Sequence, residues 1–208
     1  LLFSVLLLWV SPVQALEFER LEGNDLGIPV EYQGNPPYGG GIALEDFDGD
    51  QWLDLITVGG LGSEGLTYYT GTGPFSWKDT TEASGLGQNL GQEKGLAVAD
   101  YDQDGDLDLF VAVWNSGFST LYQNDGNGTF SEERTFPEPY VSTGAWGDYD
   151  GDGDLDLYLS TYFKSPNALY RNDGGFFVDV TLEAGVSGLT SQGYGNSFQG
   201  IWEDLDLD

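Results

Sequence analysis

The chain has 208 residues, of which 35 are Asp or Glu and only 6 are Lys or Arg, giving a formal net charge of -29. That balance excludes binding to nucleic-acid backbones, where affinity comes from Lys and Arg neutralising phosphates, and it disfavours anionic membrane surfaces. The sequence contains no Cys, His or Met, so thiol nucleophiles, His-based triads and His or Cys zinc sites are excluded, leaving carboxylate, hydroxyl, amide and Lys chemistry.

Hydrophobic residues at 39%, aromatics at 14% and 32 glycines make the chain too apolar for a disordered acidic tail, and it reads as folded and rich in turns. The opening "LLFSVLLLWVSPVQA" is an apolar run from Leu1 to Val10, then a Pro, then small residues at Val13 and Ala15. It reads as a secretory signal over residues 1–15, cut after Ala15, with a buried strand or helix as the alternative. The run is too short to cross a bilayer, which takes about 20 apolar residues. No Met or basic segment precedes Leu1, so the signal is expected to be incomplete at its N-terminus. Export without cysteine leaves bound ions, rather than disulfides, as cross-links. Residues 16–40 follow as an N-terminal segment. Its "LEFERLEGNDLGI" echoes "FVDVTLEAGV" of 177–186 and is expected to supply an outer strand that closes the last sheet from the other terminus.

From residue 41 the chain repeats itself. "GIALEDFDGDQWLDLITV" (41–58), "GLAVADYDQDGDLDLFVAV" (95–113) and "GAWGDYDGDGDLDLYLST" (144–161) align without gaps on D-x-D-x-D-x-x-x-D-L, and "QGIWEDLDLD" (199–208) enters a fourth copy. The first aspartates are Asp46, Asp100, Asp148 and Asp204, so the steps are 54, 48 and 56 residues. A second half recurs as "LTYYTGTGPFSWKDTTEASGL", "TLYQNDGNGTFSEE" and "ALYRNDGGFFVDVTLEAGV", each a short aromatic segment, a Gly-rich hairpin turn and another short segment. The first unit is thus predicted as strands at 41–45, 53–59, 66–70 and 75–80, with the acidic loop between the first two. The units are 41–94, 95–142 and 143–197, with 198–208 opening a fourth. Because the sequence stops inside that motif, it is expected to be incomplete here too.

Four short antiparallel strands at this spacing predict an all-β fold, a β-propeller of four-stranded blades of which this chain covers about three and a half. A β-sandwich or solenoid would account for the strands but not for the return of the acidic loop in every unit.

Within that loop, carboxylates at positions 1, 3 and 5 point inward, a fourth at position 9 reaches the same centre, and the backbone carbonyl of position 7 completes an all-oxygen shell. Such a shell suits Ca²⁺, whereas Mg²⁺ demands stricter octahedral geometry and transition metals prefer imidazole or thiolate. The candidate ligands are Asp46, Asp48, Asp50 and Asp54; Asp100, Asp102, Asp104 and Asp108; and Asp148, Asp150, Asp152 and Asp156. An EF-hand is excluded because its bidentate Glu at position 12 is replaced by Thr57, Val111 and Leu159. The first loop departs from its siblings in carrying Gln51 at position 6, where Gly105 and Gly153 take left-handed angles more easily, so weaker binding is expected there. The carboxylate of Asp154, at position 7, is not required by the motif.

"VADYDQDGDLDLFVA" and "WGDYDGDGDLDLYLS", followed by "LYRNDGGFFVDVTLEAGV", resemble the FG-GAP or VCBS repeats of secreted proteins. The similarity is strongest to the cartilage acidic protein and ASPIC/UnbV-like family, and more distant to the integrin α-subunit propeller. The resemblance covers about residues 41–208. It implies a calcium-binding propeller of about seven blades, carrying one Ca²⁺ per complete repeat on the twelve aspartates named above. It also implies a secreted, extracellular, periplasmic or cell-surface setting, a role in adhesion or recognition, and a protein or glycan as partner.

Trp146 and Trp202 stand where other copies have Leu44 and Val98, which predicts a place in the core between blades, as for Tyr122 and Tyr170. Trp77 and Trp114 are the rings expected to be exposed. A lectin or polysaccharide-acting enzyme on the same fold is the alternative function. Only Glu64, Glu93 and Glu138, expected in loops, stand apart from the ligand clusters, and no catalytic residue is assigned. Asn127 in "NGT" is a formal glycosylation sequon within a tight turn.

Overall fold

The computed structural model describes residues 40–59, 65–88, 90–114, 117–163, 165–190, 193–194, 197 and 199–202. The expected signal, the N-terminal closing strand, Glu64 and the fourth acidic loop lie outside the described residues.

Three four-stranded antiparallel sheets follow one another, each with its strands in sequence order. The first blade holds β1 (Gly40–Glu45), β2 (Asp54–Gly59), β3 (Thr67–Gly73) and β4 (Ser76–Asp79). The second holds β5 (Glu93–Ala99), β6 (Asp108–Val113), β7 (Ser119–Asn124) and β8 (Phe130–Phe136). The third holds β9 (Val141–Gly147), β10 (Asp156–Thr161), β11 (Ala168–Asp173) and β12 (Phe176–Asp179). A single helical turn, α1 (Thr181–Ala184), and a two-stranded pair, β13 (Leu189–Thr190) with β14 (Gly193–Tyr194), come after them. These are the blades of a partial β-propeller, with the strands where the repeat predicts them. Glu93 is a correction: it belongs to β5, is buried, and accepts a hydrogen bond from Leu90 N, so it is not a loop acid.

The second strand of each blade shows why the chain folds this way. "DLFVAV" of β6 is buried at every position, since a strand covered on both faces has no need of polar alternation. Side chains still alternate between faces. Leu109 and Val111 join a core with Ala43, Phe47, Ile56, Val58 and Tyr68 of the first blade, while Phe110 and Ala112 join one with Leu157, Leu159 and Tyr170 of the third. One strand therefore serves two interfaces, and each fully buried Leu, Ile or Phe contributes roughly 1.5–3 kcal/mol.

The first strands lie innermost, β1 against β5 and β5 against β9. They come so close that a Cβ on Gly95 would sit 2.5 Å from Ser142 O, which is why glycine opens "GLAVAD".

Trp146 lies in the core between the second and third blades, stacked on Tyr101 at 6.0 Å and 17°. Trp77 and Trp114 are both half-buried, against expectation. Trp77 is held by a bond from its Nε1 to Leu53 O, and Trp114 by packing on other rings. The more exposed indole is Trp52, 42% accessible at position 7 of the first acidic loop.

Candidate metal centres

Each acidic loop spans the turn from a first strand to a second, closed by the pairs Glu45 with Asp54, Ala99 with Asp108 and Gly147 with Asp156. The loop winds around its own carboxylates, an arrangement natural to Asp in turns. The position-1 carboxylate accepts the position-6 amide in all three copies: Gln51 N to Asp46 at 2.9 Å, Gly105 N to Asp100 at 3.0 Å and Gly153 N to Asp148 at 3.1 Å. The position-5 carboxylates Asp50, Asp104 and Asp152 accept the amide of position 7 at 2.8, 3.0 and 2.9 Å.

This winding needs positive φ at two places. Position 6 has it at Gln51 (75°), Gly105 (100°) and Gly153 (98°), and position 4 at Gly49 (73°), Gln103 (60°) and Gly151 (77°). At position 6 only the first loop carries a non-glycine residue, as expected, while at position 4 the second loop does, at Gln103. A non-glycine residue held there costs on the order of 1 kcal/mol or more.

Position 9 is the anchor. Asp54, Asp108 and Asp156 are at most 1% exposed. One oxygen of each accepts the position-2 amide, from Phe47, Tyr101 and Tyr149 at 2.9, 3.2 and 2.6 Å. The other accepts the amide of Gly71, Asn124 or Asn172 on the third strand, at 2.7, 2.9 and 2.8 Å. Tyr68 OH adds a bond to Asp54 Oδ2 at 2.8 Å.

The carboxylates converge in threes. Oxygens of Asp46, Asp48 and Asp50 lie within 4.8 Å of one another, as do those of Asp100, Asp102 and Asp108, and those of Asp148, Asp150 and Asp156. Asp54, Asp104 and Asp152 stand outside these groups. Oxygens bound at about 2.3–2.6 Å to one Ca²⁺ can be at most about 5 Å apart, so each trio fits within a single coordination sphere.

Convergence of like charge in a partly buried place raises the affinity for protons. Burial pushes Asp108 up to about 7, with Asp102 and Asp104 adding to the rise and bonds from Asn124 and Tyr101 opposing it. Burial likewise raises Asp54 and Asp156, and raises Asp48 and Asp102 with help from neighbouring aspartates. In the second centre Asp100 Oδ1 is buried without a hydrogen-bond partner, a cost that a bound cation would offset. The donor set and this orphaned oxygen fit a hard divalent ion. The chain supplies some compensation itself: Gln123 Nε2 donates to Asp102 at 2.6 Å, and the Arg171 guanidinium lies 3.8 Å from Asp150 while gripping Asp173 at 2.8 Å.

Several residues here carry no role in the sequence reading. Asn124 and Asn172, the Asn of "QND" and "RND", reach into the preceding blade, donating to Phe47 O at 2.8 Å and Tyr101 O at 3.1 Å. Gln103 Nε2 crosses to the third loop, donating to Gly153 O at 2.8 Å and Asp154 Oδ1 at 3.2 Å. The other Asp154 oxygen accepts Gly174 N at 2.8 Å, so this carboxylate pins a hairpin. The signal for the asparagines was their return sixteen residues after position 9 (108 to 124, 156 to 172).

Away from the loops, Glu138 accepts a bond from Tyr170 OH, and its Oε2 is buried without a partner. At the opposite rim, beyond the ends of β6 and β10, Trp114 packs within 5.1–5.8 Å of Tyr162, Phe163 and Tyr140. Among the described residues no helix is long and apolar enough to cross a membrane.

Residues 46–111 and 100–159 match the family described as FG-GAP-like repeat, together covering more than half of the chain. No curated protein matches the sequence. A solved structure concerned with specific recognition of non-reducing terminal N-acetylglucosamine by an Agrocybe aegerita lectin is similar at 20% identity and a TM-score of 0.40. The match covers 68% of this chain and 37% of the lectin, so the chain spans little more than a third of that protein's length.

Proposed function

Because the chain belongs to the FG-GAP-like repeat family, we propose that it is a secreted calcium-binding propeller that acts, without catalysis, as a scaffold for extracellular adhesion or protein interaction. On the motifs quoted above, we read it as similar within the family to the cartilage acidic protein and ASPIC/UnbV-like members. The observation that carries the calcium assignment is the convergence of three carboxylates within 4.8 Å in each of three loops. Asp46, Asp48 and Asp50 would hold one ion, Asp100, Asp102 and Asp108 a second, and Asp148, Asp150 and Asp156 a third, with Asp54, Asp104 and Asp152 completing the sets. The ions would neutralise the loops and fix the first hairpin of each blade. Three Ca²⁺ take -29 only to -23, leaving an acidic surface for a partner. Calorimetric titration of the metal-free chain with CaCl₂ tests this, with about three ions bound per chain expected. A chain that takes up no calcium at millimolar concentration refutes it.

A second reading, a glycan-binding surface, is favoured by the ring cluster of Trp114, Tyr140, Tyr162 and Phe163. Phe163 is 60% exposed, and both Tyr140 and Phe163 sit at positive φ (60° and 49°), a costly way to present aromatic faces. Neutral sugars stack on such faces and are not repelled by an acidic protein. Glycan-array binding lost on Phe163→Ala supports it, and an array with no signal ends it.

A further inference from the structure

Hydrogen bonds connect the carboxylates of one centre to those of the next. From the first to the second, Phe47 N donates to Asp54 Oδ2 (2.9 Å), Asn124 Nδ2 donates to Phe47 O (2.8 Å), and Asn124 N donates to Asp108 Oδ1 (2.9 Å). From the second to the third, Tyr101 N donates to Asp108 Oδ2 (3.2 Å), Asn172 Nδ2 donates to Tyr101 O (3.1 Å), and Asn172 N donates to Asp156 Oδ1 (2.8 Å). The two runs meet on the two oxygens of Asp108.

The asparagines are fully committed. Asn124 and Asn172 are 1% and 0% exposed. Each Nδ2 also donates to the position-8 carbonyl of its own loop, Leu107 at 3.1 Å and Leu155 at 3.2 Å. Each Oδ1 accepts a backbone amide, Gly126 N at 3.3 Å and Gly175 N at 2.7 Å. Only a carboxamide offers two donors and an acceptor in this shape; Asp would bring a charge and no donor. A fully satisfied buried network of this kind rigidifies its surroundings and fixes one geometry.

We infer that Asn124 and Asn172 are positioning residues that couple neighbouring metal centres, so that calcium bound in one blade raises the affinity of the centre in the next. The inference rests on the calcium assignment above. Its physical basis is shared ordering: an ion that fixes one loop also fixes the position-2 peptide, and through the asparagine it fixes the position-9 carboxylate of the following loop. The second ion then finds part of its ordering cost already met. Gln103 adds a second tie between the second and third loops only, through Gly153 O and Asp154. The first blade carries Gly71 in place of the asparagine, where a Cβ would lie 2.6 Å from Leu53 O. Trp77 Nε1 takes the position-8 carbonyl Leu53 O instead, at 2.8 Å. Among the described residues the first centre is thus tied on one side and the second on both.

Calorimetric titration of the full chain with CaCl₂ is the test, with calcium-dependent melting measured in parallel. The wild-type chain should bind with a Hill coefficient above 1. Asp150→Asn, an exposed change in the third centre, should weaken the second centre at least about fivefold, the lower end of ordinary coupling, because coupling is reciprocal. In an Asn172→Ala/Gln103→Ala background, which removes both ties, Asp150→Asn should leave the second centre unchanged, which a merely structural asparagine would not bring about. If that background does not fold, the Asp150→Asn result alone decides. Sites that fill independently, with Asp150→Asn shifting the second centre by less than twofold, overturn the coupling and leave the calcium assignment standing. A wild-type chain that binds no calcium overturns both.

Discussion

Asp108→Asn should change the sign of its effect on stability according to whether calcium is present. In the metal-free protein the buried Asp108 carboxyl is pushed up to about 7 from its ordinary 3.8, chiefly by burial. At about 1.4 kcal/mol per unit, keeping it ionised at pH 8 costs the fold on the order of 4 kcal/mol. Asparagine removes that cost but turns an NH₂ toward one of the two amides, Tyr101 N or Asn124 N, that now donate to the carboxylate. The lost charge-assisted bond takes back about 1.5–3 kcal/mol. The metal-free variant should therefore be more stable than wild type by about 1–2.5 kcal/mol. With calcium at 100 times its Kd the wild type gains roughly 3 kcal/mol from the second centre, and the variant loses most of it. Urea denaturation at pH 8, in EGTA and in CaCl₂, reads both values. Equal destabilisation in the two conditions would refute the reasoning, since Asp108 would then be a structural acceptor alone. The pH dependence has the matching sign. A folded pKa above the unfolded one gives stability that is complete below 3.8 and is lost as pH rises through about 7, so the metal-free protein should gain stability on acidification across that window. The calcium-loaded protein should lose stability there, because ligand carboxylates must be deprotonated.

Gln51→Gly should stabilise the chain by about 0.5–1 kcal/mol and tighten the first centre, since it relieves a left-handed non-glycine residue; thermal melting and calcium titration check both. Gln103→Gly should bring no such gain, because it also removes the bonds to Gly153 O and Asp154. Arg171→Gln should tighten the third centre a few-fold at low salt, as it takes a competing cation from beside Asp150, with the difference shrinking in titrations at high ionic strength. Asp154→Asn should leave calcium affinity near wild type while lowering the melting temperature through the hairpin contact with Gly174. Asp152→Asn should weaken calcium binding clearly, and equal affinity losses from both would undo the ligand assignment.

The strands and loops were legible because each is written locally. Strand two of every unit is an apolar run bounded by the position-9 aspartate, and the loop announces itself by alternate carboxylates. What was not legible depends on distance along the chain. Asn124 meets Phe47 across 77 residues and Asn172 meets Tyr101 across 71; the repetition of "ND" is visible in the sequence, but its target is set by how blades stack. Trp77 looked unmatched and therefore exposed, yet it fills the role that Gly71 cannot. The left-handed turn at position 4 is hidden in the sequence because Gln103 adopts it alongside Gly49 and Gly151, and glutamine carries no local signal for it.

The fully buried strand β6 has a further consequence before the protein is folded. "LFVAV" is the kind of uncharged, β-prone segment that pairs with copies of itself whenever chains are unfolded together. Asp104, Asp106 and Asp108 precede it directly, and in the extended chain no wound loop exists to gather a cation among them. Their mutual repulsion between chains should keep such segments apart before folding, as gatekeeper charges do beside other unavoidable apolar strands. On the proposed calcium assignment Asp104 and Asp108 would thus act twice, first as a deterrent to strangers and then, once the neighbouring blades arrive, as part of the clasp. Dilution refolding of Asp104→Asn/Asp106→Asn should show the first role alone, as a yield that falls with chain concentration more steeply than that of wild type in EGTA; identical yields would remove it.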